Sequence, residues 1–326
     1  MGELATAGER LTIASELDWV ARLVEEGAAG ELRPRSEDAP SIVIVVEADQ
    51  RPFPTSGANV LSRDAWSGAG TVVVRNVCGS GFDLAFEERE DDLPMFTFRW
   101  RPPHRERLAA RALRARFHLL ARAVLMQYPA MWWAGTKGRV PLHAPAYTTG
   151  SISPLLVGPG GVGKSTLLGL ELQGGGRAVS DNVSVGDGTT VWGLAEPARA
   201  EGGTGRRMYH GRGERAIRGR ISGGLEPDRV VVVRRANTDV ATVRPCDPAL
   251  AARSLVAGTY MAGELRRYWT FAATFALGTG RGPSYPNLGE VALAFTQRLP
   301  CFEVVLPRSA SLLPTSLSPE MEAACR

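Results

Sequence analysis

Apolar residues recur along this chain with two different periods, and the period predicts the element. Leu11, Ile13, Leu17, Val20, Leu23 and Val24 recur at roughly helical spacing and predict an amphipathic helix over residues 10–28. Ser41 to Val46 is rich in β-branched residues and predicts a strand, as does Thr71 to Val74. Phe82 to Phe86 and Met95 to Trp100 alternate apolar with polar, the pattern of half-buried antiparallel strands. These elements predict a small α+β domain over residues 1–129. Residues 104–127 predict a long helix with Leu108, Ala112, Ala115, Leu119, Ala123 and Met126 along one face. Arginines fill much of the remainder: Arg105, Arg107, Arg111, Arg114, Arg116 and Arg122. They read as a solvated helix face or as a docking surface for an acidic partner. Pro129 predicts the end of the helix, and the domain boundary is expected there.

The second expected domain covers 130–326. Met131-Trp132-Trp133 leads to a turn at Gly135 to Gly138. Val140 to Ala144 and Ile152 to Val157 predict a hairpin turned at Thr148 to Ser151, with His143 on the strand beside the second one. Gly174-Gly175-Gly176 predicts a helix stop, and Arg177 to Ser180 a short strand ending in Asp181-Asn182. Val183 to Val185 and Thr190 to Trp192 predict a hairpin around Gly186 to Gly188. Val230 to Val233 reads as a buried strand. Asp247-Pro248 opens a helix through about Gly263, and a second, aromatic-rich helix covers Glu264 to Ala276. Asn287 caps a helix through Leu299, Pro300 ends it, and Phe302 to Leu306 predicts the last strand. The tail from Ser309 is expected to be loosely held.

Composition narrows the class. The chain has 326 residues, 44% of them hydrophobic, which suits one large or two modest globular domains. No apolar run is long enough to span a bilayer, and Met1 to Arg10 lacks a signal-peptide pattern, so a cytoplasmic, membrane-free protein is expected. Cys78, Cys246, Cys301 and Cys325 lack the paired spacing of zinc sites and read as reduced thiols. The net charge of +4 rests on arginine, because Lys137 and Lys164 are the only lysines.

Lys164 has an evident purpose. Gly158-Pro159-Gly160-Gly161-Val162-Gly163-Lys164-Ser165-Thr166 fits the phosphate-binding P-loop pattern. Leu155-Leu156-Val157 enters it as a strand, and Thr166 to Leu172 leaves it as a helix. Glycines allow successive N–H groups to converge on a phosphate, and the helix N-terminus adds partial positive charge. Lys164 places an ammonium on the terminal phosphates, and the Ser165 hydroxyl suits Mg²⁺. ATP and Mg²⁺ are therefore the expected ligands. Asp181 follows at the end of the next strand, as an acid near the metal or γ-phosphate, or as a turn aspartate. His143 reads as a satisfied core residue or as a neighbour of the reacting centre. Residues 199–220 carry Arg199, Arg206, Arg207, Arg212, Arg215, Arg218, Arg220 and His210. They read as a lid or as a basic surface loop, with Arg206 and Arg207 as candidate phosphate-neutralising groups. Tyr209 alone offers a stacking ring, so nucleic-acid binding is not expected. The strand at Val230 to Val233 ends in Arg234, where a P-loop ATPase with a late metal-binding acid would carry a carboxylate.

The stretch from His143 to Val185 resembles the catalytic core of HPr kinase/phosphorylase. It is more similar still to the HPr-kinase-related proteins of biosynthetic gene clusters, among them kinases of lasso-peptide precursors. The residues that carry this are His143, Gly158 to Thr166, Val179-Ser180-Asp181 and, later, Leu299-Pro300-Cys301-Phe302-Glu303. The resemblance implies an α/β fold, a P-loop core of the HPr-kinase/phosphoenolpyruvate-carboxykinase type with a smaller N-terminal α+β domain. It implies that Asp181 is the general base, that Lys164 and Ser165 hold phosphate and Mg²⁺, and that His143 lies beside the reacting centre. It further implies a homo-oligomer. One departure stands out: Asp181-Asn182 occupies a place where the family has two acids. Asn182 still offers a carbonyl oxygen to a metal, and Glu196 is a candidate further ligand. The implied function is an ATP-dependent kinase acting on a Ser/Thr-type hydroxyl of a peptide or protein. The alternatives are a small-molecule kinase, a P-loop ATPase or nucleotide switch, and a relative that kept the nucleotide site as a scaffold.

Overall fold

A computed structural model describes residues 2–36, 39–68, 70–89, 92–150, 152–200, 202–207 and 212–308. The expectations for Ser151, Tyr209, His210, Cys325 and the tail from Ser309 concern residues outside that set. The protein is of mixed α/β class. Its helices are α1 (Asp18–Gly27), α2 (His104–Ala112), α3 (Arg114–Arg122), α4 (Tyr128–Thr136), α5 (Lys164–Gln173), α6 (Pro248–Tyr260), α7 (Arg266–Thr279) and α8 (Leu288–Arg298). Among the described residues no helix is long and apolar enough to cross a membrane. The chain divides into two units: Met1–Gly138 with Arg267–Pro286, and Arg139–Arg266 with Asn287–Arg326.

The first unit is built on a mixed eight-stranded sheet. Its strands are β1 (Gly2–Thr6), β2 (Glu9–Ser15), β3 (Ile42–Glu47), β4 (Asn59–Ser62), β5 (Ala65–Gly68), β6 (Thr71–Val74), β7 (Phe82–Glu88) and β8 (Pro94–Trp100). They lie in the order β1-β2-β3-β8-β7-β6-β5-β4, with β3 parallel to both β2 and β8 and the other pairs antiparallel. The helix predicted over 10–28 is thus corrected. Leu11 and Ile13 sit two apart and bury one face of strand β2, whereas Val20, Leu23 and Val24 bury one stripe of α1. The two periods abut at Ser15, whose hydroxyl oxygen accepts from the Leu17 N–H at 3.1 Å and turns the chain.

The helix expected to end at Pro129 continues. After a break at Leu113 (φ −118°, ψ 55°) it runs through α3, a π-helical turn at Ala123–Gln127, and α4. In the widened turn the Tyr128 N–H bonds the Ala123 carbonyl, so the ladder shifts just where Pro129 lacks a donor. Every residue of α4 from Tyr128 to Ala134 is buried, so it carries no amphipathic signal. The domain limits of 1–129 and 130–326 are therefore replaced on two counts. The first unit extends to Gly138, and α7 supplies part of its core. Trp132 packs 5.2 Å from both Phe86 and Phe275, and Phe275 stacks on Phe271 at 4.5 Å, centroid to centroid.

The second unit is organised around a four-stranded sheet in the order β11-β17-β19-β18. In chain order its strands are β9 (Val140–Leu142), β10 (Tyr147–Thr148), β11 (Pro154–Val157), β12 (Arg177–Ala178), β13 (Ser184–Gly186), β14 (Val191–Gly193), β15 (Ala198–Ala200), β16 (Gly213–Arg215), β17 (Arg229–Ala236), β18 (Thr242–Pro245) and β19 (Cys301–Pro307). β11, β17 and β19 are parallel, and β18 closes the edge antiparallel. Both faces of the parallel strands are covered, which explains their unbroken apolar runs. Leu155, Val157, Val230 and Val232 join one core with residues of α6 and α8. Leu156, Val231, Val233, Val304 and Leu306 join the other with Leu167 and Leu168 of α5.

The predicted hairpin through His143 is corrected in part. Residues 145–149 do return along 152–156, with Thr149 and Ile152 exchanging backbone bonds at 3.0 Å. β9, however, pairs antiparallel with β13, in the sheet β14-β13-β9, and His143 follows β9. The β13–β14 hairpin is as expected, with Ser184 opposite Gly193.

Candidate functional site

Strand β11 delivers the chain into the glycine loop, and the loop's backbone explains its composition. Gly158, Gly161 and Gly163 have φ of 134°, 81° and 110°, the left-handed region that glycine enters without strain. At Gly158 a Cβ would also lie 2.8 Å from the Val233 carbonyl oxygen. At Gly160 it would lie 3.9 Å from His143 Cε1, which puts the imidazole against the loop. Val162 packs on the α5-side core, and its carbonyl accepts from Arg235 Nε at 3.2 Å. Gly163 is the N-cap of α5, so Lys164, Ser165 and Thr166 form its first turn. Ser165 and Thr166 are half-buried there.

Lys164 is 6% exposed, and its ammonium donates to the Gly158 and Pro159 carbonyls at 2.6 and 3.0 Å. Burial pulls it down to about 8, with the charges of Glu264 and then Asp181 holding it up. Asp181, 3% exposed, lies just past β12. One carboxylate oxygen accepts from the Arg199 N–H at 3.0 Å, and the Ser165 hydroxyl faces the same carboxylate. Burial raises the Asp181 carboxyl above the ordinary carboxylate range, and the Arg199 N–H and then the Ser165 hydroxyl oppose the rise.

His143 is fixed on three sides. Its N–H donates to the Thr259 hydroxyl oxygen at 3.1 Å, Nδ1 faces the Gly258 carbonyl at 3.0 Å, and Nε2 lies 2.9 Å from Asn182 Oδ1. A carbonyl only accepts, so Nδ1 carries a hydrogen. Burial, and then the charge of Lys164, lower the ring's pKa and favour the neutral form. Nε2 is then an acceptor, which a half-turn of the Asn182 amide satisfies by presenting its N–H. That half-turn brings the amide oxygen to the buried position where the nitrogen otherwise has no partner.

Helix α6 brings Gly258 hard against the loop: a Cβ there would lie 2.6 Å from the Gly158 carbonyl oxygen. Glu264, beyond α6, binds Arg199 at 2.8 Å. Burial pushes the Glu264 carboxyl up, but the guanidinium of Arg199, by charge and hydrogen bond, outweighs it and holds it at about 2. Gly258 and Glu264 are neighbours of the loop that no motif spacing pointed to, since both come from elements far along the chain, and Arg199 was expected only as one of the lid arginines.

Two expected site groups lie differently. Glu196 is buried, and its carboxylate accepts from the Val183 N–H at 3.3 Å while its charge faces Arg199. Arg206 and Arg207 sit on a paired ribbon, not in an open loop: β15 pairs with β16, and the Arg206 carbonyl accepts from the Glu214 N–H at 3.0 Å. It is Arg199 at the root of this ribbon, with Arg212, whose charges act on Asp181. Arg234, at the end of β17, pairs with Glu303 at 2.8 Å.

Among the described residues no three His, Cys, Asp or Glu side chains gather as a cage for a cation. Ser165 Oγ, the Asp181 carboxylate and the Asn182 amide each offer a hard oxygen. They fit Mg²⁺, which keeps several waters and takes only one or two protein ligands beside substrate phosphates. Compared with known proteins, the chain matches no family model and no curated protein.

Proposed function

We propose that this protein is a kinase of the HPr-kinase type that transfers the terminal phosphoryl group of ATP to a hydroxyl of a peptide or protein. The observation that carries the reading is the junction of Asp181 with the first turn of α5. A buried carboxylate, held by the Arg199 N–H at 3.0 Å, faces the Ser165 hydroxyl and the Lys164 ammonium, and burial raises its pKa. A raised pKa brings a carboxylate nearer the operating pH, as a general base requires.

In this mechanism the loop N–H groups and Lys164 hold the phosphates, and Lys164 leaves the Gly158 and Pro159 carbonyls to do so. Asp181 takes the proton from the acceptor hydroxyl. Arg199 holds Asp181 through its backbone N–H and keeps Glu264 ionised close to Lys164. Ser165 and the Asn182 oxygen are the residues for Mg²⁺, which when bound neutralises charge on the phosphates. His143 keeps the Asn182 amide oriented.

A second reading, an ATPase or nucleotide switch, draws on the same two residues, Ser165 and Asp181, because P-loop proteins of that kind hold their metal with a loop Ser/Thr and an Asp. Intact-mass analysis of small precursor peptides incubated with ATP, Mg²⁺ and the protein separates the two. A peptide gaining one phosphate, lost in Lys164→Ala, supports the kinase. ATP consumed with no peptide gaining mass supports the hydrolase.

A further inference from the structure

The proposed phosphoryl transfer assigns no role to the arginine-rich helices of the first unit. Helix α2 buries none of its nine residues. Helices this short are marginal without packing. Leu108 and Leu113 are 67% and 50% exposed. The break at Leu113 turns the chain from α2 into α3, and between these helices and the Gly79-Ser80 turn lies a groove of about 410 Å³. Its floor is apolar: Ala110, Leu113, Phe117 and Leu120. Its edges carry Arg105, Arg116 and Arg267. Among the described residues Glu106 is the only acid lining it.

We infer that this groove is a docking site for an acidic, amphipathic peptide segment of a partner protein. Aliphatic side chains of the segment enter between Leu113 and Leu120, and its carboxylates meet Arg105, Arg116 and Arg267. Both halves of the occupant's chemistry follow from the lining: the floor needs alkyl groups to cover it, and three guanidinium groups against one carboxylate need negative charge. Nucleic acid fits less well. The one ring lining the groove is Phe117, which already packs with Trp19 and Trp100 at 6.1 and 5.3 Å, whereas single strands need a series of rings for successive bases. The inference stands apart from the catalytic reading and holds whether or not the partner is phosphorylated.

The test is fluorescence anisotropy with the full chain and a labelled helical peptide of about 14 residues, with Leu at i, i+3, i+4 and i+7 and Glu elsewhere. Comparison probes are the same peptide with Lys for Glu, the same peptide with Ser for Leu, a single-stranded DNA, and phosphatidylserine vesicles. Binding is expected for the Leu/Glu peptide alone. It should weaken roughly tenfold or more in Arg105→Glu/Arg116→Glu and fall with added salt. Lys164→Ala should bind the peptide as well as the parent protein does, which separates this site from the P-loop. Equal binding of the Lys peptide, equal binding of the Ser peptide, preference for DNA or vesicles, or no binding would each overturn the inference. The peptide comparisons use the unaltered protein, so they decide the matter even if the double variant misfolds.

Discussion

The backbone N–H of Arg199 donates to the carboxylate of Asp181 at 3.0 Å, joining the root of the β15–β16 ribbon to the acid that follows β12. If Asp181 is the base, Asp181→Asn keeps a polar group of the same shape but removes the proton acceptor. Transfer to an acceptor is then expected to fall by about 10²–10⁴-fold, with ATP binding largely kept. Isothermal titration calorimetry and single-turnover assays check both halves. Unchanged turnover would remove Asp181 from the role.

Lys164 titrates where it can be watched. With its ammonium pulled down to about 8, it loses charge as pH rises through that value. Affinity for ATP without metal is expected to weaken between pH 7 and 9. Arginine stays charged throughout, so Lys164→Arg should flatten the profile whatever its absolute affinity. The same shift has a stability consequence. Between about 8 and the ordinary lysine value of 10.5 the unfolded chain binds more protons, so Lys164 contributes a rise in stability with pH over that window.

Glu264 is the largest influence holding the Lys164 pKa up. Glu264→Gln removes that charge at nearly constant volume. The midpoint of the ATP-binding pH profile should move to lower pH, and the 2.8 Å contact with Arg199 should lose its ionic character. A midpoint that stays in place would show that the two charges do not communicate.

Gly258 tests backbone proximity against helix propensity. In an ordinary helix interior Gly→Ala stabilises by about 1 kcal/mol. Here the new methyl would meet the Gly158 carbonyl at 2.6 Å, backbone against backbone. Gly258→Ala is therefore expected to destabilise by about 1–3 kcal/mol and to weaken ATP binding, read by urea denaturation and titration.

The aromatic cluster of the first unit checks the placement of α7. Phe275→Ala removes a fully buried ring that faces Phe86, Phe96, Phe271 and Trp132. A loss of about 3–5 kcal/mol is expected in denaturant unfolding. A loss below about 1 kcal/mol would mean that α7 is not part of this core.

What the sequence alone determined is local. The P-loop, its entering strand and leaving helix, the Gly174 to Gly176 stop and the caps at Asp247 and Asn287 all depend on residues within a few positions of one another. Each has a direct physical signature in glycine, in charge or in a capping side chain. The β-branched runs at Ile42 to Val46 and Val230 to Val233 were legible for the same reason. Only the tertiary structure decided the rest. Period alone could not separate β2 from α1, because Leu11 and Ile13 run straight into a helical stripe. Pro129 looked like a helix end because the π-turn that accommodates it leaves no mark in composition. Glu264 reaches Arg199, Gly258 reaches Gly158 and Phe275 reaches Trp132 across long stretches of chain. No local spacing records such contacts, because packing creates them only after the elements have formed.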